Sequence, residues 1–391
     1  MDPLTNLGPH AWRDVPPGGR VAFETLGPHG WSTAEGRLAV EARQLVLARR
    51  GAAVRYAAMA DTRDGMIVNG DMVNQLMAYV QENPTLGLAA LHAAGLEVMM
   101  GLFKVFQWVE ERALDLGKGR PVLVTMGGQA SGKTSLATFA TGVGAILDAP
   151  HTDADGLVKR LGKLLGQSRE VWVVWVHRNP RHALHSMLLR AVEEGRPVTL
   201  AQMAGAHYHA PQAFEAVARA YRGQSRLHLY HAWNLGTPED IHVRGGRLDR
   251  EGKDALDILQ DLPAWGEPDF MNCILDGYVE SLEGKRGWGA TPPARDLVSF
   301  LNSRLTEEES KRVYSAPPPL FCPERVDGPC SGGTPTPLPS PLASPSLEPG
   351  DICGMLGAAL RTGIRWNQGR LAVAFQQAYG VAPPHASQLF N

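Results

Sequence analysis

Cysteine is scarce. Four in 391 residues cannot form the dense disulfide framework of a small secreted domain. Cys322 and Cys330 flank a Pro-rich stretch without the paired short spacing of a zinc site. No apolar run approaches the ~18 residues needed to span a bilayer. The opening residues, Met1 to Asn6, carry no basic region followed by an apolar core, the mark of a secretory signal. Neither sign of charge is in excess. The net charge is -2, which provides no general attraction to nucleic acid or anionic lipid. A cytoplasmic protein in a reducing environment is expected, with neither nucleic acid nor membrane among its partners. Internal repeats are lacking too. What remains is ordinary for a globular chain, 44% hydrophobic and 20% charged residues, and long enough for one or two cores with irregular segments between them.

One stretch stands out against this background. Gly127-Gly-Gln-Ala-Ser-Gly-Lys-Thr134 fits G-x-x-x-x-G-K-[ST]. The apolar run Pro121 to Thr125 leads into it, and the helix-compatible Ser135 to Ala140 follows. Strand, glycine-rich loop and helix is the context a phosphate-binding loop needs. Successive backbone N–H groups and the N-terminus of the next helix then converge on one concavity, where anionic phosphate is favoured. Gly127, Gly128, Gln129, Ala130, Ser131, Gly132, Lys133, Thr134 and Ser135 are the expected nucleotide-binding residues. Lys133 can reach the β- and γ-phosphates, and the Thr134 hydroxyl can ligate Mg²⁺. ATP and Mg²⁺ are therefore the expected cofactors.

The surrounding pattern predicts an α/β fold, a P-loop NTPase-type parallel sheet flanked by helices. It has a helical N-terminal extension and a Pro-rich C-terminal tail. Residues 1–35 read as a loosely ordered segment, 36–117 as the helical extension and 118–250 as the phosphate-loop core. Residues 251–315 follow as a helical or irregular extension, 316–350 as a linker with 11 prolines, and 351–391 as a short helical segment. In the extension a helix is expected over Thr33 to Arg50, stopped by Gly51. A loop follows over Asp61 to Asp71, with Asp71 capping a helix from Met72. A long helix is expected from about Leu86 to Leu116, its stripe Leu96, Met99, Met100, Phe103, Phe106 facing the sheet. In the core, Gly142 to Asp148 reads as a short strand, and Val171 to Val176 as a strand buried on both faces. Pro180 opens a helix running to Glu194. A further helix covers about Leu200 to Tyr221, and Arg226 to Trp233 alternates like a strand. Ile241 to Asp249 resembles a hairpin turning at Gly245-Gly246. Further helices are expected over Asp254 to Leu262, Ala294 to Leu305 and about Leu371 to Tyr379.

Asp148 ends its strand on the edge where ligands sit in open α/β sheets. Phosphoryl transfer uses a carboxylate either to take the acceptor hydroxyl's proton or to hold Mg²⁺, and Asp148 is placed for either. Asp153 and Asp155 compete with it, Asp155 also as a helix cap. Arg178, Arg181, Arg190 and Arg196 follow the buried strand, where guanidinium groups could stabilise charge on a transferring phosphoryl group. His182 and His185, and His207 and His209, lack a third ligand at metal spacing. His207 is instead a candidate polar contact near substrate or phosphate.

The segments Val176 to Arg190, Glu194 to Val198 and Ala206-His207, with the phosphate loop itself, resemble the zeta-toxin family of small phosphate-loop kinases. Asn69-Gly-Asp71 and the helix before the loop are similar to the N-terminal extension of larger members. The likeness covers about residues 65 to 235. It implies an ATP-dependent kinase acting on a small-molecule acceptor, in the best-known members a UDP-activated amino sugar, and it admits an antitoxin partner. On that resemblance the catalytic set is Lys133, Asp148 as acceptor base, and Arg190 and Arg196 in the substrate or lid cluster. The chain departs from the family in spacing. Asp148 comes seven positions after Thr141, and 22 residues lie between it and Val171. Asp148 and Thr152 thus share one loop where the family spends an extra strand and helix. Two other readings fit the same motif: an ATPase with water as acceptor, and a nucleotide-binding interaction protein with a degenerate kinase centre.

Overall fold

The structure is a computed structural model that describes residues 34–83, 91, 96–193, 197–234, 241–247, 265–282, 295–314 and 352–379. Its centre is a six-stranded sheet in the order β1-β3-β2-β4-β5-β6. The strands are β1 (Ile67–Asn69), β2 (Val122–Met126), β3 (Ala145–Asp148), β4 (Val171–Arg178), β5 (Leu227–Asn234) and β6 (Ile241–Arg247). Five run parallel, and β6 is antiparallel to β5. Every residue of β2 and β3 is buried, as expected for strands covered by helices on both faces. The α/β class and the parallel sheet flanked by helices agree with the sequence.

Alternation along the strands sorts side chains to two cores. Val122, Val124, Met126, Leu147, Val173 and Trp175 join one cluster, which the helices α1 (Ala34–Leu47), α2 (Arg49–Ala57), α5 (Leu96–Leu116), α7 (Ala154–Gly166) and α9 (Leu200–Ala220) complete. Leu123, Ile146, Val174, Val176 and Ala232 face the other way. There they pack on Leu136 and Ala137 of α6 (Lys133–Phe139) and on Met355, Leu356 and Leu360 of the last helix, α13 (Ile352–Tyr379). A third cluster ties α8 (Pro180–Glu193) and the start of α9 to α10 (Glu267–Leu282), α11 (Arg295–Asn302) and α12 (Glu307–Tyr314). Two short helices, α3 (Gly70–Asn74) and α4 (Ala78–Glu82), lie between β1 and α5.

Several expectations change. Gly51 does not stop a helix. It lies inside α2, because Ala52 and Tyr56 continue the buried face and the Tyr56 hydroxyl donates to the Ile67 carbonyl at 2.7 Å. The expected loop from Asp61 to Asp71 contains β1. Only three residues long, it is easily hidden among turn-formers, but it pairs in register with β3. Asn69, not Asp71, caps the next helix, its side-chain oxygen accepting from the Asp71 N–H at 2.8 Å. Asp153, not Asp155, caps α7, accepting from the Gly156 N–H. Gly245 and Gly246 make no hairpin turn. They lie within β6, where a Cβ on Gly245 would sit 2.2 Å from the Leu229 carbonyl oxygen, so glycine serves close backbone approach to β5.

The face of α5 also differs. Met99 and Phe103 are 47% and 54% exposed, while Val98, Leu102, Val105, Val109 and Ala113 form the buried stripe. Both stripes have helical period, and β-branched residues beside the sheet displaced the larger ones. The C-terminal helix begins at Ile352, well before Leu371. The expected helix over Asp254 to Leu262, the linker with Cys322 and Cys330, residues 86–90 and 92–95 of the expected long helix, and Arg196 all lie outside the described residues. Among the described residues no helix is long and apolar enough to cross a membrane.

Candidate functional site

Registry between strands builds the site. Thr125 of β2 and Asn69 of β1 both pair with Asp148 of β3, so three strand ends place polar side chains in a row on the C-terminal edge of the sheet. Asp148 is 1% exposed, and a carboxylate this deep must be hydrogen-bonded. Its Oδ1 accepts from the Thr125 hydroxyl at 2.7 Å, and its Oδ2 accepts from the Asn69 amide at 2.7 Å and from the Thr134 hydroxyl at 2.9 Å. The carboxylate therefore faces the loop between β2 and α6, tied to the residue expected to ligate Mg²⁺. A hydroxyl beside one carboxylate is a hard oxygen donor pair, the kind Mg²⁺ takes together with substrate phosphates and water. Among the described residues no group of three or more His, Cys, Asp or Glu could hold a metal ion on its own.

The loop between β2 and α6 is gripped from outside. The carbonyls of four consecutive residues each accept a hydrogen bond from a different element. Lys133 Nζ of α6 donates to Gly128, and His207 Nε2 of α9 bonds Gln129 at 2.9 Å. Arg178 at the end of β4 donates to Ala130 at 3.2 Å, and Asn234 at the end of β5 donates to Ser131 at 2.7 Å. These bonds fix the orientation of the loop backbone, while the Ser131 N–H turns back to the Gly128 carbonyl at 3.4 Å. Gly127, Ala130 and Gly132 all have positive φ, at 139°, 56° and 107°. A Cβ on Gly128 would lie 2.4 Å from the His207 ring, and one on Gly127 would lie 2.2 Å from the Val176 carbonyl oxygen. Glycine is needed at both positions because neighbours close on the loop from two sides.

Lys133 is buried. Burial pushes its ammonium down from 10.5 to about 8, partly offset by Asp148 and Asp71 and reinforced by Arg190. Arg190 of α8 and Asp71 of α3 thus both act on the loop lysine. His207 is neutral across the physiological range, its imidazolium driven down to about 3 chiefly by burial. A neutral ring whose Nε2 meets a carbonyl must be the Nε2–H tautomer, donating to Gln129. Arg178 is held low, at about 10, by burial, and also donates to Ser186 at 2.9 Å. Pro150 accepts from the Gly127 N–H at 3.2 Å, so the short loop after Asp148 folds onto the start of the phosphate loop.

The expected residues separate as follows. Gly127 to Thr134, Asp148 and Arg178 come together, with Arg190 near enough to bear on Lys133. Ser135 packs under α13, where a Cβ on Gly363 would lie 2.3 Å from the Ser135 carbonyl oxygen. Arg181 points elsewhere and pairs with Glu280 of α10. Asp153 and Asp155 serve the start of α7. The sequence reading missed Asn69 and Asn234 as partners of the site. Each is a buried polar residue ending a strand, and that combination was the available signal. No protein-family model and no curated protein sequence matches the chain.

Proposed function

We propose that the chain is an ATP-dependent phosphotransferase of the small-molecule kinase type, similar in its site to zeta toxins, moving the γ-phosphoryl group to a hydroxyl. A nucleotide sugar is the acceptor class to test first. The observation that carries the reading is a glycine-rich loop whose four consecutive carbonyls are held by hydrogen bonds, joined through Thr134 to a buried aspartate on the adjacent strand. The block Val176 to Arg190 supports the kinase class over a motor or GTPase.

The roles follow from access. The loop N–H groups and Lys133 bind the phosphates, and Thr134 with Asp148 would hold Mg²⁺, which supplies charge neutralisation on the transferred group. Asp148 is too enclosed to take a proton from an acceptor that must come and go, so its part is metal positioning rather than base catalysis. The acceptor's proton falls to Asp71. That residue is exposed, lies in the first turn of α3 two residues beyond Asn69 of the Asn69–Asp148 pair, and bears electrostatically on Lys133. Arg190, on the other flank of Lys133, would meet charge developing on the phosphoryl oxygens.

The test is incubation of the protein with labelled Mg·ATP and a panel of nucleotide sugars. Label appearing on a sugar nucleotide is the expected result. ATP consumption that ignores every acceptor would instead mark an ATPase, and ATP binding without turnover would mark a degenerate centre.

A further inference from the structure

The phosphate loop accounts for only one end of a nucleotide. Once the triphosphate is seated there, the nucleoside must lie within one nucleotide's length of it, on the same edge of the sheet. A cavity lined by described residues meets that condition. It is about 540 Å³ and is walled by Trp233, Ile241, Arg244, Cys353, Gly357 and Arg361, among others, which is within the size range of small-ligand sites. It lies between the upper half of β6 and the first turns of α13.

Two contacts join the cavity to the loop. Asn234, whose amide holds the Ser131 carbonyl, follows Trp233 and pairs across the strands with Ile241. Leu360, next to Arg361, approaches the Cβ position of Gly132 to 3.2 Å. The wall that α13 contributes is flat where it matters. Gly357 is buried, and the Arg361 guanidinium lies 3.3 Å from where its Cβ would be. Arg361 also donates to the Ile241 carbonyl at 3.5 Å, which keeps it at the rim. A planar guanidinium over a bare stretch of backbone offers a stacking face for a flat ring, and apolar Ile241 and Val243 supply contact area.

The geometry points to this cavity as the site of the purine nucleoside of the bound ATP, with Arg361 as its principal contact. This rests on the phosphate-loop reading given above. It gives α13 a function the Pro-rich connection to it would otherwise hide. Helix α13 becomes a wall of the nucleotide site, and ATP bridges it to the loop.

The experiment is calorimetric titration of the full chain, with Mg·ATP and separately with Mg·tripolyphosphate, which has the phosphates but no nucleoside. Arg361→Ala removes the stacking face. Gly357→Leu fills the cavity and pushes the Arg361 guanidinium aside; far-UV circular dichroism and thermal denaturation check that both variants fold. The parent should bind ATP more tightly than tripolyphosphate. Each variant should lose at least tenfold for ATP and stay within about twofold of the parent for tripolyphosphate. ATP affinity unchanged in both variants overturns the inference and leaves the phosphate-loop reading intact. Equal losses for both ligands overturn it in favour of a cavity that takes phosphate. A parent that binds neither ligand refutes the phosphate-loop reading itself.

Discussion

Replacing Lys133 by Met tests the heart of the site, because the structure makes opposite demands on the empty and the loaded protein. The lysine's fall from 10.5 to about 8 amounts to about 3 kcal/mol of cost for a buried charge at neutral pH, at about 1.4 kcal/mol per pH unit. Methionine keeps the length and removes that cost, but forfeits the bond to the Gly128 carbonyl, worth ~1–2 kcal/mol. Lys133→Met should therefore make the empty protein more stable by roughly 1–2 kcal/mol at pH 7. The sign reverses at high pH. Between about 8 and 10.5 the unfolded lysine holds a proton that the folded one has lost, so parent stability rises with pH relative to the variant. By pH 10.5 the parent should be the more stable. Urea denaturation of both proteins from pH 7 to 10.5 reads this difference directly, and other titrating groups cancel. Adding Mg·ATP at about 100 times Kd should stabilise the parent by ~2.7 kcal/mol and leave the variant unmoved. A variant less stable than the parent at pH 7, by an amount that does not change with pH, would refute the picture of a charge held under strain for phosphate.

Asp148→Asn puts an amide where three donors converge. It should cost ~1–3 kcal/mol of stability and weaken Mg·ATP binding tenfold or more, with little change for ATP in EDTA. Asp71→Asn should leave Mg·ATP affinity near the parent value and lower turnover at least a hundredfold, the scale of a lost general base; equal losses of binding in the two variants would merge their roles. On acidification, burial holds the imidazoles of His151, His177, His207 and His231 at about 3, 4, 3 and 2. The unfolded chain takes up these protons first, so stability should fall as pH drops from 6.5 towards 4, with a slope approaching four protons, measured by denaturation across that range. Gly363→Ala drives a Cβ into the Ser135 carbonyl and should cost ~1–3 kcal/mol; unchanged denaturation would mean that α13 does not seat on α6.

What the sequence disclosed follows the range of the interactions involved. The glycine-rich loop between a strand and a helix was legible because its glycines, lysine and threonine answer to neighbours within a few positions. The strands β2 and β4 were legible because burial on both faces leaves an unbroken apolar run. By contrast, β1 exists only because β3 offers it an edge, and three residues carry too little pattern to announce that. The buried side of α5 was misread because two stripes compete at the same period, and only the sheet selects between them. Gly245 and Gly246 resembled a turn because local sequence cannot distinguish a chain reversal from two backbones pressed together. Asn234 carries no motif, and Asn69-Gly-Asp71 does not by itself point to a contact with Asp148. Their roles come from being the last residues of strands that end beside the loop.

The contacts that shape the loop also argue against treating the flanking regions as appendages. Asn69 comes from the N-terminal extension and reaches Asp148, while the loop's carbonyls are held by α6, α9, β4 and β5. The helix that carries Thr134 is covered by α13, more than two hundred residues later in the chain. A phosphate cradle needs its N–H groups fixed before the anion arrives, since ordering them on binding would consume affinity. Here that order is imposed by parts of the chain from residue 69 to residue 363. On the proposed reading the short motif supplies the chemistry, and the long-range packing holds the loop in place for it.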